Sequence, residues 1–169
     1  MGFPAGSAIL EEIARLDAER AQKCSEILAR HELEGAKSAV LIPGAFDFLH
    51  RLDDLGIRRA LVTRNSRPIT EFTLQRFGLE FDCLITREDG PPKPDPWAIQ
   101  TICQSWNLHP SGAVMLGDFL YDIEAGRNAG ARTVYFTRGR SEQPGMEIAD
   151  YHLQSFTETD PLLRVLGLI

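Results

Sequence analysis

The stretch Ala113-Val114-Met115-Leu116-Gly117-Asp118-Phe119-Leu120-Tyr121-Asp122 decides the fold class. An apolar run ends in Gly117, delivers a carboxylate at Asp118, and passes into a helical pattern from about Tyr121 to Asn128 that stops near Gly130. Strand, acidic turn and helix in that order are one half of a βα unit. Outward in both directions the pattern repeats. The run Ile57 to Thr63 precedes a helix opened by Ser66 and Pro68, carrying Ile69, Phe72, Leu74 and Phe77 and ended by Gly78. Phe81 to Thr86 precedes the stiff loop Pro91-Pro92-Lys93-Pro94, after which Asp95 caps a helix with Pro96 in its first turn and Ile99, Ile102, Cys103 and Trp106 on its apolar stripe. Arg132 to Thr137 is a further strand, and Tyr151 to Leu153 a shorter one. Upstream, Pro43 and Gly44 open a helix through Phe46, Phe48, Leu49 and Leu52 that closes at Gly56. Short β-rich runs alternating with helices predict an α/β fold with a Rossmann-like parallel sheet over residues 39–169.

Residues 1–38 read differently, because they hold almost no β-branched run. Ser7 is a candidate N-cap for a first helix with Ile9, Leu10, Ile13 and Leu16, whose first turn carries Glu11 and Glu12 where the helix dipole favours anions. A second helix starts near Asp17, places Ala21, Cys24, Ile27, Leu28 and His31 on one side, and is expected to end at Gly35. The two make a helical hairpin ahead of the sheet.

Bulk properties narrow the function. The chain has 169 residues, 43% hydrophobic and 25% charged, with a net charge of −6, a surface from which a polyanion gains little, so no nucleic-acid partner is expected. No apolar run approaches the roughly 18 residues of a membrane helix, and no signal peptide is visible, so no membrane partner and a cytoplasmic location are expected. Cys24, Cys83 and Cys103 are odd in number and lie in apolar stretches, which points to buried thiols rather than a disulfide framework or a zinc site. Trp97 and Trp106 fall at helical positions and read as packing residues.

In a parallel sheet, ligands gather beyond the carboxyl ends of the strands. Thr63 ends one strand, and Arg64-Asn65-Ser66 follows at a helix entrance, where a hydroxyl and free N–H groups suit a phosphate oxygen; helix capping by Ser66 is the plainer alternative. Lys93 sits among four prolines in six residues, Pro91 to Pro96, so one ammonium is held at a defined place. Asp118 and Asp122, four apart, turn two carboxylates to one side, where hard oxygen ligands can hold Mg²⁺ directly or through water. As structure alone, they are an N-cap and a surface acid in a first helical turn.

With these residues in place, the chain resembles the haloacid dehalogenase-like hydrolases from the helical hairpin to roughly Arg138. Leu61-Val62-Thr63-Arg64-Asn65 is similar to the second family motif, Lys93 within Pro-Pro-Lys-Pro to the third, and Gly117-Asp118 through Asp122 to the fourth. It looks most like the phosphoglycolate phosphatase branch, and residues 1–38 then read as the remnant of that branch's small helical cap. The resemblance implies an Mg²⁺-dependent phosphomonoester phosphatase for a small phosphorylated metabolite. Thr63 and Lys93 would be its catalytic residues, binding the phosphoryl group with Arg64 and Asn65, while Asp118 ligates Mg²⁺ and Asp122 supports it.

The family's first motif, Asp-x-Asp at the end of the opening central strand, supplies the attacking aspartate and the general acid. No Asp-x-Asp occurs in the 169 residues. The expectation is therefore a sheet whose first central strand is missing, with Mg²⁺ weakly held or absent and turnover very low or nil. That strand would lie between those ending at Thr63 and Asp118. The gap is expected to be closed by direct pairing, by the segment Ala39 to Ile42, or by a strand of another copy, which makes a homo-oligomer one expected state. The alternative reading is a non-catalytic phosphate-binding or protein-interaction domain.

Overall fold

The computed structural model describes residues 8–169. Ser7, the expected cap of the first helix, lies outside them. Helix α1 spans Ile9–Ala14 and α2 spans Ala18–Ser38, with the Asp17 carboxylate accepting the Arg20 N–H at 3.0 Å as its cap. The second helix runs through Gly35 rather than stopping there. Its last turn is held by Ala36, buried against the rest of the protein, by the Ser38 hydroxyl bonded to the Glu34 carbonyl at 3.0 Å, and by Arg76, whose guanidinium donates to the Ala39 carbonyl at 2.6 Å. Tertiary contacts here outweigh the intrinsic preference of glycine to end a helix.

The remaining elements follow the expected alternation: α3 (Ala45–Asp54), β1 (Ala60–Val62), α4 (Arg67–Phe77), β2 (Cys83–Ile85), α5 (Trp97–Ser105), β3 (Val114–Gly117), α6 (Leu120–Ala129), β4 (Arg132–Phe136), β5 (Tyr151–Leu153) and α7 (Asp160–Val165). Gly44 opens α3 at φ +78°, and a Cβ there would come within 2.7 Å of the Phe156 backbone, so glycine is required. The sequence reading missed α7. Six residues are too few to show a helical period, and the helix exists because Leu162 and Leu163 are buried by the sheet. Cys103 is buried, whereas Cys24 and Cys83 are half-buried; all three are free thiols. No described helix is long and apolar enough to cross a membrane.

All strand pairs are parallel, but they form two sheets rather than one. In the first, β1 pairs with β2 in the register Leu61 to Leu84. In the second, the order is β3-β4-β5, with Leu116 opposite Val134 and Tyr135 opposite His152. Neither of the two internal closures expected from sequence occurs: β1 and β3 do not pair, and Ala39 to Ile42 stays outside in coil with Val40 82% exposed. Ile42 packs instead beside Val134, Phe136 and Leu153. Between β1 and β3 lies a cleft of about 680 Å³, roofed by α3 and α7 and floored by α5.

The start of α4 is joined to the turn after β2 by a charged knot. Arg67 bonds Asp89 at 2.6 Å, and the same carboxylate accepts the Thr86 N–H at 2.7 Å and hydroxyl at 2.8 Å. These partners hold the Asp89 carboxyl down to about 2. A carboxyl depressed by folding stabilises the fold above its unfolded pKa, near 3.9, and loses that contribution as pH falls through its folded value. Discounted for its solvent exposure, Asp89→Asn should cost about 1 kcal/mol at pH 7. Urea titrations should show the deficit shrinking between about pH 4 and pH 2.

Candidate functional site

Each candidate residue is delivered by the end of a strand or the loop behind one. β1 ends at Val62, and Thr63 follows with its N–H still bonded to the Ile85 carbonyl of β2 at 2.9 Å. Its hydroxyl accepts the Asn65 N–H at 3.1 Å, a local turn that aims the backbone into α4. Ser66 occupies the N-cap position of α4 with a buried side chain that makes no capping bond, so the plain capping role is not how this entrance is held. The Arg67 N–H is met instead by Glu88 at 3.0 Å.

Lys93 is the joint of the site. Its ammonium donates to the Val62 carbonyl at 2.8 Å and to Asp122 Oδ1 at 2.6 Å, with both the lysine and aspartate side chains nearly buried. One cation therefore touches the end of β1 and the first turn of α6 together. Asp122 faces inward at 7% exposure, and its Oδ2 accepts the N–H groups of Asp118 and Phe119, each at 3.1 Å. The second bond is a helix residue reaching back to the N–H at its own cap. Gly117 makes this possible, because a Cβ there would sit 2.2 Å from that of Asp122. Asp122 is thus a clasp for the β3–α6 turn and for Lys93, not a surface acid.

Asp118 sits at the mouth. Arg138, just beyond β4, holds its Oδ2 at 2.8 Å, and the buried Tyr135 hydroxyl donates to its carbonyl at 2.9 Å. Burial pushes the Tyr135 phenol up, so it remains a donor at neutral pH. Arg64 turns away from open solvent: it bonds the Lys93 carbonyl, grips Glu11 of α1 at 2.6 and 2.8 Å, and lies 5.1 Å above the Tyr121 ring. The Arg64 bond holds the Glu11 carboxyl below its ordinary range. Asn65 is exposed beside them.

Thr63, Arg64, Lys93, Asp118 and Asp122 therefore share one rim, with Asn65 on its outer edge. Two partners of these groups were not singled out from sequence, Arg138 and Tyr135; Arg138 directly follows the strand Arg132 to Thr137, where strand-end residues of a parallel sheet are expected to matter. The Mg²⁺ donor set does not fit on its own. Asp122 gives both oxygens to an ammonium and two amides, Asp118 faces a guanidinium, and among the described residues no three acidic, histidine or cysteine side chains converge. Mg²⁺ demands near-octahedral oxygen coordination, which one half-exposed carboxylate cannot provide. Asp47, an acid in the first turn of α3, is exposed and not among these residues.

Removing one member of a buried ion pair leaves the other charge without a partner. Lys93→Met should cost about 3 kcal/mol in urea unfolding, and Lys93→Met combined with Asp122→Asn should lose less than Lys93→Met alone.

The sequence and the fold have counterparts among known proteins. The family model described as haloacid dehalogenase-like hydrolase matches residues 2–136. A haloacid dehalogenase-like hydrolase domain-containing protein of Arabidopsis thaliana is 36% identical over 168 residues, covering 98% of this chain and 68% of the relative. Validoxylamine A 7'-phosphate phosphatase of Streptomyces hygroscopicus subsp. limoneus is 31% identical, covering 93% of this chain and 75% of that enzyme. Among solved structures, one described as a predicted phosphoglycolate phosphatase from Haemophilus somnus 129pt superposes with a TM-score of 0.75 at 22% identity, covering 89% of this chain and 68% of its own. This chain thus spans about two thirds to three quarters of the length of these three proteins. By its sequence match, the chain belongs to the haloacid dehalogenase-like hydrolases.

Proposed function

We propose that these residues are the phosphoryl-binding core of a phosphomonoester phosphatase, that the substrate is a small phosphorylated metabolite of the cytoplasm, and that the 169 residues hold this group without transferring it. The observation that carries the reading is the Lys93 ammonium, fixed between the Val62 carbonyl and Asp122 beside Thr63. A cation already positioned by neighbours stabilises added negative charge without reorganising, and the low polarity of its surroundings strengthens the effect. Thr63 contributes a hydroxyl hydrogen, since its oxygen accepts from Asn65. Arg64 serves the phosphoryl group when it releases Glu11.

Asp118 is the carboxylate best disposed towards Mg²⁺, the metal the family resemblance implies, and Asp122 holds the turn that carries it. The described donor set does not hold Mg²⁺ unaided, in keeping with a site that binds without transferring. Residues 1–38 act as the cap remnant and 39–169 as the core in this reading, and two cap helices leave the site open to small substrates. The absence of Asp-x-Asp from the 169 residues supports binding without turnover, because the described carboxylates of the rim are all engaged, Asp118 by Arg138, Asp122 by Lys93 and Glu11 by Arg64.

Calorimetry with inorganic phosphate should show binding that weakens about tenfold in Lys93→Ala, the loss of one charge-assisted contact. Equal affinity in the two folded proteins would remove the site. Incubation with phosphoglycolate or p-nitrophenyl phosphate and Mg²⁺ should release no phosphate above a buffer control; turnover that copurifies with the chain and disappears in Lys93→Ala would overturn the non-transferring part of the reading.

A further inference from the structure

Phe119 stands where a helix usually places a polar cap. It occupies the N-cap position of α6, its side chain makes no capping bond, and it is 56% exposed. A phenyl ring there satisfies no N–H and buries little apolar area, so the turn gains almost nothing from it. The local bond is supplied by Asp122 instead, whose Oδ2 accepts the Phe119 N–H at 3.1 Å. The side chain at 119 thus has no part in closing the turn.

Its position is fixed all the same. The Phe119 ring meets the Tyr121 ring at a centroid distance of 5.1 Å and an angle of 79°, an edge-to-face pair. The Tyr121 ring lies in turn 5.1 Å from the Arg64 guanidinium, which bonds the Lys93 carbonyl. A second route leads back to the same lysine, because the Asp122 carboxylate that accepts the Phe119 N–H holds the Lys93 ammonium through its other oxygen. The two routes close a circuit through Lys93, Arg64, Tyr121, Phe119 and Asp122. The aromatic pair therefore stands on the side of Asp118 that faces the end of β1, whereas Arg138 meets Asp118 from the end of β4. Neither ring belongs to the apolar clusters of the described residues.

We propose that Phe119, braced by Tyr121, is a specificity-determining residue, a shelf for the carbon part of a phosphomonoester that carries a ring with a flat apolar face. The inference rests on the reading of Lys93 as the phosphoryl-binding cation. Charged groups on this rim are paired with one another, Asp118 with Arg138 and Arg64 with Glu11, so the exposed side chain next to the lysine's clasp that is apolar is Phe119. A phenylalanine has only two side-chain torsions, and the contact with Tyr121 already restrains them, so a ring laid against it costs little ordering. A two-carbon acid such as glycolate brings a second charge and almost no apolar area, and gains nothing from the shelf.

Calorimetry on the full chain with inorganic phosphate, phosphoglycolate and phenyl phosphate tests this, beside Phe119→Ala, Phe119→Tyr and Lys93→Ala. The chain should bind phenyl phosphate about tenfold more tightly than the other two anions. Phe119→Ala should erase that preference while leaving the affinity for inorganic phosphate within about twofold, and Phe119→Tyr, which keeps the ring, should retain it. In NMR spectra the Phe119 ring resonances should shift with phenyl phosphate and not with inorganic phosphate, a response that a merely structural ring would not give. Equal affinity for phenyl phosphate and inorganic phosphate, or a preference that survives Phe119→Ala, overturns the shelf alone when phosphate binding is still weakened in Lys93→Ala. Phosphate affinity that is the same in the chain and in Lys93→Ala overturns the phosphoryl site, and the shelf with it.

Discussion

One buried ammonium links the two sheets of this protein. Lys93 leaves the proline-rich loop, crosses to the last carbonyl of β1, and ends on the carboxylate that clasps the turn after β3. A charge so deep is tolerated only because it is paired and hydrogen-bonded. The same pairing sets the level of the rim, since β1 and β3 are not bonded to each other. What would be a functional residue by resemblance is therefore also a tie between sheets, and its two roles share the same atoms.

The open interval beside that tie is the fold's main constraint. At about 24 cal/mol per Å³, a dry void of 680 Å³ would cost roughly 16 kcal/mol, as much as or more than the ~5–15 kcal/mol that holds a typical domain folded. The cleft is consequently no dry void but a space open to its surroundings, apolar in roof and floor. The rest of the core is arranged to survive this. One cluster gathers Val134, Phe136, Leu153 and Leu162 on the β4–β5 side, and another joins Ile85, Ala98 and Ile102 on the β1–β2 side.

The sequence was most legible where local and tertiary preferences agreed. The strands after which Thr63 and Asp118 fall, the helix stops at Gly78 and Gly130, and the acidic pair on one side of α6 all follow from period and turn chemistry. It was least legible where a distant partner decides. Glu11 reads as an acid favoured by a helix dipole, yet it is the bidentate partner of Arg64, 53 positions away. Asp122 reads as a surface acid in one interpretation, and only the approach of Lys93 from a separate loop makes it a buried clasp. The strand Ile57 to Thr63 contracts to Ala60–Val62, because a ladder needs a neighbour and β1 has one on a single side.

The charges at the rim are already satisfied by one another, and that shapes any chemistry there. Lys93 rests on Asp122, Arg64 on Glu11, and Asp118 on Arg138. In the proposed reading a phosphoryl group would gain from Lys93 without breaking its pair, because an ammonium has a third hydrogen beyond those given to Val62 and Asp122. Arg64 is different: its guanidinium is committed to Glu11, whose carboxyl is held below its usual range and so stays ionised at neutral pH. An anion that takes the Nη2 hydrogens of Arg64 competes with that carboxylate, which stands in the first turn of α1. That ion pair ties the helical hairpin to the rim, so any anion that competes for the guanidinium competes with a residue of the hairpin itself.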